Sequence, residues 1–339
     1  MSDMSRPNIA IVGAAGMVGK TYRTVLEELK FPFNEITLLE RAELVGQSKR
    51  VAGKKYPLKK LDEHSFDGDD IDIALFSAGG EVSRVYAPIA AAHGTVVIDN
   101  SSYWRMDPEV PLVVPEVNPQ DAFNRPKGII SNPNCSTIQA VVALKPLYDA
   151  FGIKRVVYST YQAVSGSGYK GIKELKEGLK GRDLMSAYPH PIAGNIIPHI
   201  VIFMDNGYTR EEMKMINETK KILGDETIAV TATTARVPVF ESHSESINVE
   251  FERPFELSEV LAAWEAAPGL VVKDDPEHNI YPLALDVAGR NEVYVGRLRR
   301  DFSVENGINF WCVADNVRKG AATNSIQIAE LLLEPSEQE

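Results

Sequence analysis

Apolar and polar positions follow two different rhythms along this chain, and the rhythm changes after Phe151. Before it, short apolar runs alternate with helical periodicity. Asn8–Val12 reads as a buried strand, followed by an amphipathic helix to about Leu29. Ile36–Leu39 predicts a second strand, ended by Glu40-Arg41, and the polar stretch Ala42–Asp70 carries a hairpin near Gly53-Lys54-Lys55. Ile71–Phe76 and Thr95–Asp99 predict two further strands with a helix between them, about Glu81–His93. Pro111–Pro119 is extended. Gly128–Ile130 is a short strand, and a helix over roughly Ser136–Phe151 follows. Strand alternating with helix predicts an α/β, doubly wound parallel sheet.

Beyond Phe151 strands come in runs. Lys154–Ala163 is a long one, and Ser165-Gly166-Ser167-Gly168 turns it into a helix over Lys170–Leu179. Tyr188–Pro198 is a proline-rich loop, and Arg210–Leu223 a charged helix. Ile228–Val237, Ser244–Phe251 and Val293–Val313, broken near Glu305–Gly307, predict strands of a mainly antiparallel sheet in an α+β domain. The last helix, about Gly320–Leu333, is amphipathic and is expected to return to the first domain. The division is therefore residues 1–134, joined by the helix at about 318–339, and residues 135–317. Neither a repeat nor a low-complexity linker interrupts the chain.

Chemistry concentrates at a few points of this pattern. Gly13-Ala14-Ala15-Gly16-Met17-Val18-Gly19 lies between the first strand and its helix. This G-x-x-G-x-x-G run is where a backbone can turn tightly and meet a pyrophosphate at a helix N-terminus; a glycine-rich turn without a ligand is the alternative. Asn132-Pro133-Asn134-Cys135 ends a strand and opens a helix, so the Cys135 sulfur stands at a helix N-terminus that favours the thiolate nucleophile. A buried structural cysteine is the other reading. Arg105 follows a strand's C-terminal end, in Asp99-Asn100-Ser101-Ser102-Tyr103-Trp104-Arg105, and either holds an anion or is a surface arginine. Gln162 ends a strand and could orient a carbonyl. Arg236 and His243 share one segment, the first suited to a carboxylate and the second to proton transfer, although a structural histidine is the commoner case. Glu211 and Lys214, three apart on a helix, read as a surface ion pair worth about 0.3–0.5 kcal/mol.

Composition narrows the classes. The 339 residues are ample for two domains. A net charge of −11 argues against a nucleic-acid binder. No apolar run reaches membrane length and no signal-type h-region stands at the start, so no membrane partner is expected. Two cysteines are too few for a disulfide framework, which suits a reducing cytoplasm. Cys312, in an apolar strand, reads as core. His64, His93, His190, His199 and His278 show no zinc-type spacing, and no metal site is expected. A G-x-S-x-G elbow and a Walker loop are also missing. What remains is a thiol, a histidine and a dinucleotide fingerprint. That set suits interconversion of an aldehyde and an acyl phosphate through a thioester.

These stretches, with Asp315-Asn316-Val317-Arg318-Lys319-Gly320-Ala321-Ala322, resemble the aspartate-β-semialdehyde dehydrogenase family over essentially the whole chain. The long insertions of the Gram-negative branch are absent, so the resemblance is to the compact, Gram-positive-like branch. It implies NADPH-dependent reduction of L-aspartyl-4-phosphate to L-aspartate-4-semialdehyde with release of phosphate, on the route to lysine, methionine, threonine and isoleucine. By matching position it implies Cys135 as thioester nucleophile, His243 as acid/base and Gln162 as orienting amide. Arg236 would take the α-carboxylate, Glu211 the amino group, and Arg105 with Lys214 the phosphate. Gly13–Gly19, Arg41, Ala42, Ser165, Gly166 and Asn316 would contact the cofactor, and the second domain would form a homodimer. One departure concerns the 2′-phosphate: Glu40-Arg41-Ala42-Glu43 stands where the family carries an Arg-Ser pair, which leaves NAD open beside NADP. Two other readings remain, N-acetyl-γ-glutamyl-phosphate reductase and a catalytically silent relative.

Overall fold

The computed structural model describes residues 4–68 and 71–333, in two compact units. Residues 334–339 of the expected C-terminal segment, and Asp69 and Asp70, lie outside the described residues.

The first unit comprises residues up to Pro133 together with the chain from Ala321 onward. Its strands are β1 (Ile9–Val12), β2 (Ile36–Glu40), β3 (Ser48–Val51), β4 (Lys54–Lys60), β5 (Ile73–Phe76), β6 (Val96–Asp99) and β7 (Ile129–Ser131), in the order β3-β4-β2-β1-β5-β6-β7. All pairings are parallel except the β3–β4 hairpin. Its two turn residues, Ala52 and Gly53, both have positive φ, as a tight hairpin turn requires. Helices α1 (Met17–Glu28) and α2 (Gly80–Ala92) connect strands. β1 and β5 are buried throughout, which is why they read as continuous apolar runs rather than alternating ones. The last helix, Thr323–Leu331, follows a π-turn at Arg318–Ala322, and Ile326, Ile328 and Ala329 pack into the same core as Ile11, Tyr22 and Leu38. Sheet order reverses at β1, so the loop Gly13–Gly16 stands where ligands of open α/β sheets bind.

The second unit, Asn134–Gly320, holds a six-stranded mixed sheet. Its elements are α3 (Cys135–Phe151), β8 (Ile153–Gln162), α4 (Gly168–Gly178), α5 (Arg210–Leu223), β9 (Ala229–Arg236), β10 (His243–Phe251), α6 (Leu257–Ala266), β11 (Leu270–Val272), β12 (Val293–Asp301) and β13 (Gly307–Ala314). The order is β11-β12-β13-β10-β8-β9. The three central pairings are antiparallel, whereas the outer pairs β11–β12 and β8–β9 are parallel. The 252–292 stretch, which carries α6 and β11, has no strong pattern in the sequence. Trp264 of α6 anchors it, buried and donating its indole N–H to the Ala143 carbonyl of α3.

Candidate active site

Three strand ends meet because of register. β8 runs parallel to β9 with Gln162 opposite Arg236, and antiparallel to β10 with Tyr161 opposite Ser244. Gln162 and Arg236 therefore finish their strands at the edge where His243 begins its own. The N-terminus of α3 comes to the same edge. Asn134 is its cap, with Oδ1 accepting from the Ser136 and Thr137 amides, and Cys135 is the first helical residue.

His243 Nε2 lies 3.2 Å from Cys135 Sγ. At the other side of the ring, the Ala163 backbone N–H donates to Nδ1 at 2.9 Å. An amide can only donate, so Nδ1 presents its lone pair and the ring proton of neutral His243 sits on Nε2, facing the sulfur. Burial pushes the His243 imidazole down to about 3, and the nearby Arg236 charge pushes the same way against a smaller opposing pull from Glu211. The imidazolium is doubly disfavoured, by charge and by a donor meeting a donor at Nδ1.

Glu211 organises the opposite wall. Its Oε1 accepts from Asn134 Nδ2 at 2.9 Å and from Gln162 Nε2 at 3.1 Å, and its Oε2 meets Lys214 Nζ at 2.9 Å. Burial pushes this carboxyl up, but the Lys214 charge and the hydrogen bonds from Lys214, Asn134 and Gln162 outweigh it and hold it at about 2. The pair is not the surface ion pair its i,i+3 spacing suggested: Glu211 is 6% exposed and Lys214 20% at the side chain. The next helical turns of α5 add Glu218, whose carboxylate accepts the Asn134 amide at 2.6 Å. Sequence reasoning missed Glu218, although its seven-residue spacing from Glu211 marks the same helix face.

Arg236 Nη1 donates to the Ala163 carbonyl at 2.6 Å, while its Nε is buried without a hydrogen-bond partner among the described residues. Cys135, Gln162, Tyr188, Glu211, Lys214 and Arg236 line a cavity of about 330 Å³. Tyr188, from the proline-rich loop, was not singled out in the sequence. Two glycines fit tightly around the reacting groups. A Cβ on Gly320 would stand 2.9 Å from Cys135 Cβ, and one on Gly166 would stand 2.7 Å from Arg236 Nη1.

Ser165 and Asn316, both expected at the cofactor, bond to each other: Ser165 Oγ donates to Asn316 Oδ1 at 2.9 Å. The same oxygen accepts the Ser242 amide at 3.0 Å. Ser242 has φ of 71°, a conformation rare outside glycine, immediately before His243. Asn316 thus pins a strained residue beside the imidazole.

In the first unit the Gly13–Gly19 loop is closed by contacts only glycine allows. Gly13 has φ of 84°, and a Cβ there would meet the Ser77 carbonyl at 2.9 Å; a Cβ on Gly19 would meet Gly13 O at 2.2 Å. Gly16 caps α1, and Ala14 and Ala15 form the bend before it, ahead of Met17 and Val18 in the first turn. This backbone, opening a helix at the switch point, fits a dinucleotide pyrophosphate. Arg41 and Ala42 are exposed just past β2. Arg105 is buried, its Nε donating to Asn132 O and its Nη2 to Asn100 O, both at 3.0 Å. Among the described residues no cluster of His, Cys, Asp or Glu could hold a metal ion, and no helix is long and apolar enough to cross a membrane.

Two family models match the sequence. "Semialdehyde dehydrogenase, NAD binding domain" covers residues 8–124, and "Semialdehyde dehydrogenase, dimerisation domain" covers residues 144–319. These define a semialdehyde dehydrogenase with a nicotinamide dinucleotide as its cofactor class. An aspartate-semialdehyde dehydrogenase of Aquifex aeolicus is 55% identical over 333 residues, 96% of this chain and 97% of that protein. One of Campylobacter jejuni is 48% identical over 97% of this chain and 98% of that one. The crystal structure of aspartate semialdehyde dehydrogenase II from Vibrio cholerae complexed with ASA superposes with a TM-score of 0.93 at 48% identity, covering 97% of this chain and 98% of that one. The chain belongs to the aspartate-semialdehyde dehydrogenase family. The expected Gram-positive-like affiliation is not supported, since these full-length relatives come from Aquifex, Campylobacter and Vibrio.

Proposed function

We propose that the protein reduces L-aspartyl-4-phosphate to L-aspartate-4-semialdehyde and phosphate through a thioester on Cys135, in the biosynthesis of lysine, methionine, threonine and isoleucine. The observation that carries this reading is the Cys135–His243 pair, 3.2 Å apart at the mouth of a helix and beside a pocket lined with Arg236, Glu211 and Lys214. Sγ attacks the acyl carbon and the C–O bond to phosphate breaks. His243 holds a proton at Nε2, where it steadies first the sulfur and then the carbonyl oxygen as charge gathers on it. Arg236, whose buried Nε has no hydrogen-bond partner among the described residues, takes the α-carboxylate. Glu211 takes the amino group and Gln162 orients the acyl carbonyl. Lys214 draws the phosphate, as the resemblance also assigns to Arg105. When bound, the reduced nicotinamide dinucleotide supplies the hydride that converts the thioester to the aldehyde.

A homodimer is the accompanying reading, supported by the dimerisation-domain family that the second unit matches; a cytoplasmic location goes with the reducing compartment that two cysteines suit. The test is phosphate-dependent formation of NADH or NADPH from aspartate semialdehyde, with the N-acetylated glutamate analogue as control. Turnover of the aspartate compound alone supports the proposal. Turnover of the acetylated compound alone would transfer it to the N-acetyl-γ-glutamyl-phosphate reductases, and turnover of neither to a silent relative. Intact-mass detection of an acyl adduct lost in Cys135→Ser checks the nucleophile.

A further inference from the structure

We propose that Glu40 makes NAD(H), not the NADP(H) that the resemblance implies, the preferred cofactor of this chain. This rests on the dinucleotide reading of the Gly13–Gly19 loop, not on the identity of the acyl substrate. Glu40 is the last residue of β2, the strand beside β1 at the point where sheet order reverses. An acid at that strand end, some 20 residues past the glycine loop, is placed to accept the ribose 2′-hydroxyl.

The direction of the side chain decides what the sequence left open. Glu40 Oε2 accepts the Ala15 N–H at 3.3 Å, so the carboxylate faces the glycine loop and not the sheet edge. On the sheet the residue paired with Glu40 is Lys60, but its Nζ stands 3.5 Å from Asp62 Oδ2. The lysine is therefore engaged with a different acid. Glu43 adds a second exposed carboxylate in the turn Ala42–Leu44. Arg41 is exposed, at the start of that turn, and is the sole cation in Glu40–Glu43. A 2′-phosphate carries up to two negative charges and would approach two carboxylates and one guanidinium, the Glu40 carboxylate being turned toward the glycine loop. Coulomb repulsion then works against the phosphate, whereas a 2′-hydroxyl finds a ready acceptor.

The measurement is the dissociation constant of each reduced cofactor alone, by calorimetric titration of the full chain with NADH and with NADPH. NADH is expected to bind more tightly by about ten-fold or more. Glu40→Ser removes the charge and the acceptor, and should narrow or reverse the ratio, chiefly by strengthening NADPH. Glu40→Gln, of the same shape and without charge, should move the ratio the same way if Glu40→Ser is poorly folded. Arg41→Ala should weaken NADPH and leave NADH nearly unchanged. Tighter binding of NADPH by the unmodified chain, or a ratio unaltered by both Glu40 variants, overturns the proposal. Because no acyl substrate is present, these ratios stand whether or not aspartate semialdehyde is turned over.

Discussion

His243 Nε2 stands 3.2 Å from Cys135 Sγ, and the Ala163 amide on Nδ1 places the proton of the neutral ring on Nε2. With Nδ1 occupied as an acceptor, a neutral ring can only donate toward sulfur. The histidine is thus built to hold a thiolate and an oxyanion rather than to become an imidazolium. This follows from one backbone N–H at the end of β8, so it is a property of the strand's path as much as of the side chain.

Ring-nitrogen NMR should therefore find His243 as the neutral Nε2–H tautomer throughout pH 5–8, assigned by its loss in His243→Asn. A Nδ1–H tautomer, or protonation near the ordinary value, would overturn the argument. The sign for stability follows. The folded imidazole lies at about 3, below the unfolded value of roughly 6.5, so the unfolded chain binds this proton first. His243 withdraws stability as pH falls from about 6.5 toward 3. His243→Asn should lose less stability than the unmodified protein across that window, in denaturant titrations at each pH.

The two crowded glycines separate positioning of the nucleophile from binding of the substrate. Gly320→Ala places a methyl 2.9 Å from Cys135 Cβ and must move the sulfur, so kcat should fall by about ten- to a hundred-fold with KM little changed. Gly166→Ala presses on Arg236 Nη1 at 2.7 Å, and should raise KM for the aldehyde more than it lowers kcat. Steady-state kinetics of the phosphate-dependent reaction reads both. Equal effects of the two substitutions on kcat and KM would remove the distinction.

Breaking the Glu211–Lys214 pair should cost stability as well as activity. Lys214→Met leaves a buried carboxylate with two amide donors but no cation, a loss of about 3 kcal/mol by urea unfolding. Adding Glu211→Gln removes the stranded charge and should recover part of the loss. Additive losses in the double variant would show that the two groups are not coupled. Acid sensitivity points the same way: Glu211 is held at about 2, so its share of stability is present above about 4.5 and disappears as pH falls toward 2.

Much of this architecture is legible from the chain, for physical reasons that also mark where reading stops. Buried β1 and β5 advertise themselves because parallel strands covered on both faces are apolar throughout. Cys135 is legible because Asn134 caps a helix directly after a strand. The convergence of Gln162, Arg236 and His243 is not, because it depends on the pairing register of three strands. Burial of Glu211 and Lys214 is hidden for a related reason. An i,i+3 ion pair has the same spacing whether its helix face meets water or Asn134. The mixed outer edges of the second sheet escape too, since the short β11 run resembles any apolar loop. Glu40 shows the limit most clearly: its identity is visible in the sequence, but its direction toward Ala15 belongs to the structure.

Glu245 is a buried acid outside the reaction. It is fully buried on β10, opposite Cys312 of β13, and neither carboxylate oxygen has a hydrogen-bond partner among the described residues. Burial pushes its carboxyl well above the ordinary range, which favours the protonated form in the folded protein. In the unfolded chain it ionises near 4.5. The folded state therefore holds the proton that the unfolded state has released, and Glu245 withdraws stability as pH rises above about 4.5. Glu245→Gln keeps the volume and abolishes the titration. Its stability relative to the unmodified protein should increase steadily from pH 5 to pH 8, read as a larger unfolding free energy by urea titration at each pH. A difference that stays constant over that range would mean that Glu245 is ionised when folded, with a partner in solution that neutralises it.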